Sequence, residues 1–391
     1  MHLILCILLV SCLSQNYAQE VLEINKQIMD AGKVGLWPYH NSDGLYITAD
    51  KVFIPRGNRL FIQNRGNTKP LETFYIKPYK EVPFRAYTIE VWKQKAFITG
   101  WYEGELLYQT YALDLLTGAL SQPGRRNVNP GETIHLNDSV FVMAGNYRPS
   151  QLKISIKLLE LNFAGRWPEM EALQKEYFAD VLTYGLTFYD SNMQVVDTLD
   201  RVHRYGADIR YLERLHTRQM LDIDERQTLY QISNNNGYTL QVWRPPYLVA
   251  ETITLKNKNY LPIPENLNEK TFERLGDTDK AYSSVSALYV KKDYILCGFF
   301  NAPKERKPVI GPYFYDILTP EGRQVKSLVL NYPIIAEDQD SIIFFYVQHE
   351  VGWFEDDRHF LVGMTVEDLL AGQAEKKVIE SAISRYMDKN D

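Results

Sequence analysis

The 391-residue chain carries 43 Lys and Arg against 49 Asp and Glu, a net charge of −6, which argues against a protein that coats nucleic acid. Its length is enough to bury a large core and does not force a split into several domains. Aromatic residues make up 13% of the chain, with 27 Tyr. That bias suits strands and leaves a minority of rings for stacking on sugars or other flat ligands.

Residues 3–13, LILCILLVSCL, form an apolar run too short to span a bilayer and read as an export signal. Two processing sites compete. Leu9-Val10-Ser11-Cys12 resembles a bacterial lipobox, which would make Cys12 a lipid-bearing first residue; cleavage after Ala18 would leave Gln19 first. The expected address is the bacterial periplasm or cell surface, with or without the anchor. Cys297 then remains alone of three cysteines, in a strand-like run, so no intrachain disulfide is expected and packing must supply the stability.

Residues 19–43 read as a lead-in segment, 44–364 as the folded domain, and 365–391 as a C-terminal helix and tail. Within the domain one pattern recurs: a polar turn, then an apolar run of strand formers. Its clearest copy is 93–120, where Lys93-Gln94-Lys95 precedes Ala96-Phe97-Ile98-Thr99. Asp114 to Gly118 then makes a hairpin turn, with Asp bonding its own backbone and Gly supplying positive φ. Further copies start at Leu60, Val140, Thr228, Tyr294 and His359. Repeats of about 40 residues with several short strands each indicate propeller blades. The expected fold is all-β, a β-propeller of six blades rather than seven. A wide gap after Val140 holds either a degenerate blade or an insertion. A β-sandwich or two all-β domains is the alternative. The architecture resembles the TolB-like six-bladed β-propellers of the bacterial envelope over roughly residues 44–364. No signature of that family is matched, so the resemblance implies no site residue.

An N-terminal strand often completes the last blade of a closed propeller, and the run at 45–49 would do so here, leaving no open edge. Two helices interrupt the strands. One covers 167–182, with Pro168 in its first turn, and sits in the wide gap. The other covers 366–387, capped by Thr365 and Asp368, with an apolar stripe of Val378, Ile379, Ala382, Ile383 and Tyr386. That stripe packs on the propeller or docks a partner. Residues 260–282 and 303–312 read as long loops.

Phosphate-cradling loops, the serine-hydrolase elbow and zinc patterns are absent from the sequence, so neither a cofactor nor a metal is expected. Asp222-Ile223-Asp224-Glu225 alternates carboxylates but lacks a calcium loop's glycine and distal glutamate, and reads as a solvated turn. His349-Glu350, the acids 355–357 and His359 read as a strand and its preceding turn. His135 reads as an isolated structural or exposed side chain.

In a blade of antiparallel strands A, B, C and D, the A–B and C–D turns share one face. The B–C loops and the links between blades share the other, and long loops carry function. The B–C loops read as 64–70, 100–105, 145–151, 233–237 and 299–311. Their charges sum to +3, with Arg65, Arg148 and Arg306 among the cations. Trp101, Tyr147 and Asn235 add rings and amides. These six residues form the expected site, for an anionic or sugar-like ligand or a protein partner. The expected function is an exported ligand-binding propeller, as a monomer. A carbohydrate hydrolase or lyase with its site at the channel mouth is the first alternative, and an envelope scaffold the second. Two carboxylates and a histidine at that mouth would favour the enzyme; a flat uncharged mouth with an exposed apolar helix would favour the scaffold.

Overall fold

A computed structural model describes residues 20–30, 45–66, 70–77, 83–102, 108–126, 133–145, 157–158, 160–179, 183–192, 194–204, 219–233, 237–264, 266–275, 281–303, 311–338, 342–349 and 358–390. The apolar run at 3–13 and both expected processing positions lie outside these residues. The described strands form six four-stranded antiparallel sheets.

Strand β1 (Glu20–Glu23) is followed by a short helix, α1 (Lys26–Asp30). Blade 1 is β2 (Tyr46–Ile47), β3 (Lys51–Arg56), β4 (Arg59–Asn64) and β5 (Glu72–Tyr75). Blade 2 is β6 (Phe84–Trp92), β7 (Lys95–Tyr102), β8 (Tyr108–Asp114) and β9 (Leu120–Arg126). Blade 3 is β10 (Thr133–His135), β11 (Val140–Gly145), β12 (Thr183–Asp190) and β13 (Val195–Arg204), with helix α2 (Trp167–Ala179) between its second and third strands. Blade 4 is β14 (Gln219–Ile223), β15 (Leu229–Ser233), β16 (Thr239–Trp243) and β17 (Ala250–Thr254). Helix α3 (Glu269–Arg274) lies in the link to blade 5, which is β18 (Tyr282–Val290), β19 (Ile295–Ala302), β20 (Tyr313–Leu318) and β21 (Gln324–Leu330). Blade 6 is β22 (Ile334–Glu337), β23 (Ile342–His349) and β24 (Arg358–Thr365), completed by β1. Helices α4 (Val366–Leu370) and α5 (Lys376–Asn390) follow.

Each first strand touches the first strand of the next blade, from β2 through β6, β10, β14, β18 and β22 and back to β2, so the ring is shut around a central axis. This is the expected six-bladed propeller. The wide gap is an insertion in blade 3, not a lost blade.

Four expectations are corrected. The strand that closes the ring is β1, inside the segment read as a lead-in, while Tyr46–Ile47 is the innermost strand of blade 1. Burial decides this: Leu22 and Ile24 pack in one apolar cluster with Ile54, Phe61 and Phe344, joining blades 6 and 1. Second, the runs at Leu60 and His359 are third strands, not second ones. In blade 1 the tight polar turn Gly57-Asn58, with Gly57 at φ +53°, joins B to C, so the rule that tight turns mark one face fails there. Third, the C-terminal helix is two, broken near Gly372 at φ +81°. Fourth, Asp222 is not in a solvated turn but half-buried on β14, its carboxyl bonded to two amides.

Local expectations hold where the signal is local. Asp114 Oδ1 accepts from the amides of Leu116 and Thr117 and from the Thr117 hydroxyl, with Gly118 at φ +70°. Thr365 accepts from the Asp368 amide at the start of α4. Cys297 is fully buried, and burial pushes its thiol well above the usual range. The stripe on α5 is spent on packing: Ile379 and Ile383 sit in one cluster with Phe345, Phe360 and Val362 of blade 6.

Candidate functional site

The two ends of the ring differ in the length of their connections. On the A–B face no connection exceeds seven residues; on the B–C face the insertion in blade 3 covers 146–182 and the link between blades 4 and 5 covers 255–281. Short connections follow from tight local turns. The long ones carry no such constraint and collect where side chains are free to vary.

Among the six expected site residues, the structure describes Arg65 and Trp101. Tyr147, Arg148, Asn235 and Arg306 lie outside the described residues. Arg65 and Trp101 are not brought together. Arg65 follows a third strand, so it lies on the A–B face, and its amide bonds the Asp50 carbonyl in the first turn of blade 1. Its guanidinium pairs with both oxygens of Glu20, donates to Asp338 at 2.7 Å and to the Thr48 carbonyl at 2.8 Å, and covers the Phe344 ring. Those partners come from β1, blade 6 and blade 1. Arg65 is the clasp that holds the closing strand, and these hydrogen bonds keep its proton more tightly held than usual.

Trp101 stands on the B–C rim, half-buried at the end of β7, directly opposite the exposed Arg85 on β6. The strand beneath it is fixed. Gly100 admits no Cβ, which would stand 2.1 Å from the Arg85 carbonyl oxygen. The Tyr102 hydroxyl bonds the Lys77 carbonyl at 3.0 Å and Tyr111 at 2.7 Å. A ring and a cation on a rigid rim are suited to a flat ligand.

The strand assignment also changes the charge of this face. Arg65 and Lys69 move to the opposite face, and residues 350–357 join as the B–C loop of blade 6, bringing Glu350, Glu355, Asp356 and Asp357. With the whole 146–182 insertion counted, the excess of three positive charges over the B–C loops becomes an excess of four negative. An anionic ligand loses its electrostatic support.

Sequence reasoning missed a second arrangement, at the A–B end of the inner strands. Glu90, near the end of β6 in blade 2, faces His135 of blade 3: its oxygens take the His135 amide and Nδ1, each at 2.7 Å. The imidazole is enclosed by Trp92, Phe97 and Phe141. Asp222 of blade 4 accepts the Val290 amide of blade 5 at 2.5 Å and the Ile223 amide at 2.8 Å. Burial pushes its carboxyl up to about 6, against those two amides and Lys291. Glu337 of blade 6 accepts from the Tyr294 hydroxyl and stands 3.6 Å from Lys291, both of blade 5. Burial pushes it up to about 7. Tyr46 lies within the field of Glu90 and Asp222, and burial with those charges raises its phenol to about 12. Two carboxyls raised by burial therefore sit near the A–B ends of inner strands, each tied to blade 5. The missed signal is an acid within the last three positions of a first strand, in Glu90, Asp222 and Glu337. Among the described residues no group of three His, Cys, Asp or Glu is placed to hold a metal ion, and no helix is long and apolar enough to cross a membrane.

No family model matches the chain, and no curated protein matches it. Solved structures do. A candidate exported protein of Bacteroides fragilis NCTC 9343 superposes with a TM-score of 0.53 at 9% identity, over 90% of this chain and 96% of that one. An oligogalacturonate lyase in complex with manganese gives 0.42 at 10% identity, over 83% and 77%. The propeller domain of the trilobed protease from Pyrococcus furiosus gives 0.38 at 9%, over 84% and 90%. At such identities the likeness is one of fold: this chain is a six-bladed β-propeller, similar in architecture to those proteins.

Proposed function

We propose that the protein is an exported β-propeller of the bacterial envelope, TolB-like in architecture, that binds a sugar-like ligand on its B–C face. The observation that carries this is the segregation of every long connection to that face, where Trp101 and Arg85 stand on a rigid rim. Export is supported by the apolar run at 3–13, and the B. fragilis neighbour is itself described as a candidate for export. Tyr147, Arg148, Asn235 and Arg306 belong to loops of the same face and complete the rim in this proposal; Arg65 does not. The test is calorimetric titration of the mature chain with neutral and acidic oligosaccharides. Binding that weakens about tenfold in Trp101→Ala supports the proposal, because base or sugar stacking on one ring is worth that order. Binding that ignores Trp101→Ala refutes it.

A second reading has its own observation. The raised carboxyls of Asp222 and Glu337, with the Glu90–His135 pair, meet the description of an enzyme's acid–base groups. Carbohydrate cleavage would then occur on the A–B side, and new chain ends released from a polysaccharide by the wild type but not by Glu337→Gln would establish it.

A further inference from the structure

Blade 4 turns alternate residues to its two neighbours. Met220, Tyr230, Ile232, Leu240 and Val242 pack with blade 5. Leu221, Leu229 and Trp243 pack with Val142, Leu186 and Phe188 of blade 3. Gln219, Gln231 and Gln241 share the parity of the second set and therefore face blade 3. Leu229 and Trp243 lie at the A–B end of their strands and Gln219 at the B–C end. The seam between blades 3 and 4 is thus apolar at one end and lined with amides at the other, beneath the B–C rim and beside the root of the 146–182 insertion.

The amides form a row. Gln231 Nε2 donates to Gln219 Oε1 at 2.9 Å, and Thr252 Oγ1 donates to Gln241 Oε1 at 2.8 Å. Gln231 is 2% exposed, and its Oε1 has no hydrogen-bond partner among the described residues. The indole Nε1 of Trp243, on the same face, is buried and also lacks one. A buried acceptor left in this way is costly, so an unpaired amide beside paired ones points to something that pairs with it in use.

We infer that the amide-lined end of this seam binds a neutral saccharide. The inference rests on the B–C-face proposal and assigns it a place and a ligand class. Among the described residues of blade 4 on this part of the wall, the groups offered are amides and a hydroxyl. A sugar hydroxyl both donates and accepts, so it satisfies a lone carbonyl oxygen as a carboxylate cannot. Gln219 is half-buried at the B–C end of β14, and Gln231 is buried deeper in the seam. The negative excess of the B–C loops disfavours acidic sugars at the same opening.

Calorimetry with neutral gluco- and manno-oligosaccharides and with acidic oligogalacturonides tests this. A neutral oligosaccharide is expected to bind wild type and to bind Gln231→Leu about tenfold more weakly, as one lost hydrogen-bonded contact implies. The exposed Lys93→Ala variant is expected to bind as wild type. If Gln231→Leu fails to fold, Gln219→Ala at the opening takes its place with the same expectation. Neutral binding that survives both glutamine variants but falls in Trp101→Ala overturns the seam and leaves the rim standing. Binding of acidic sugars alone overturns the ligand class. A chain that binds no member of the panel overturns both proposals.

Discussion

The seam between blades 6 and 1 and the seam between blades 3 and 4 are built from opposite materials. The first closes the ring and is joined by charge. Arg65 holds Glu20 and Asp338, Gln63 bonds the Glu23 carbonyl and the Asn25 amide, and the guanidinium lies on Phe344. The second is joined by apolar packing at one end and by a row of amides at the other, with Gln231 Oε1 unmatched. In the first seam the donors of Arg65 and Gln63 are set against acceptors from β1, from the turn after β22 and from the first turn of blade 1. A seam with a surplus acceptor has capacity for a ligand. Polarity inside a propeller therefore does not by itself announce a site.

The contrast can be broken first at Arg65. Arg65→Ala leaves the wholly buried Asp338 and the partly buried Glu20 without their cation, and should cost about 3–5 kcal/mol, enough to unfold a marginal chain. Chemical denaturation measures it; a loss below about 1 kcal/mol would show that the clasp does not hold the closing strand.

The raised carboxyls provide the next effect. Asp222 and Glu337 bind protons more tightly folded than unfolded, so the stability they contribute is present at low pH. It is lost as pH rises through about 6 for Asp222 and about 7 for Glu337. Each raised carboxyl corresponds to about 3 kcal/mol at most. Stability should fall between about pH 4 and about pH 7, and Glu337→Gln should flatten the upper part of that fall. A profile that rises over this window would contradict the burial of these groups.

Sharpening the comparison takes smaller changes. Gln231→Leu removes the unmatched acceptor but also strips Gln219 of its donor, so the two terms oppose and stability should move by no more than about 1 kcal/mol. This is far less than for Arg65→Ala, although both side chains are buried in seams. Smallest of all, Lys93→Ala removes an exposed pair with Asp138 between blades 2 and 3 and should leave the melting temperature within error.

How much of this was legible in the residues depended on the range of the interaction. The Asp114 turn and the Thr365 cap are contacts within four residues, and both are readable directly. The blade pattern is readable because alternation and turn spacing repeat. The strand letter within a blade is not, because Leu60-Phe61-Ile62 and Ala96-Phe97-Ile98 look alike while one is third and the other second. That single ambiguity put Arg65 on the wrong face and reversed the charge of the rim. His135 seemed isolated because Glu90, 45 positions away, is its partner only across a seam.

The sequence alone determined that short antiparallel sheets would repeat, that an insertion or a lost blade would fill the wide gap, and that Cys297 would form no disulfide. These depend on local turn chemistry, periodicity and counting. Tertiary structure alone decided that Glu20–Glu23 shuts the ring, that Arg65 is a clasp, and that Asp222, Glu337 and Gln231 lie where burial changes what they can do. A side chain's charge state and pairing are set by neighbours brought from other blades, and no separation along the chain encodes which neighbours those will be.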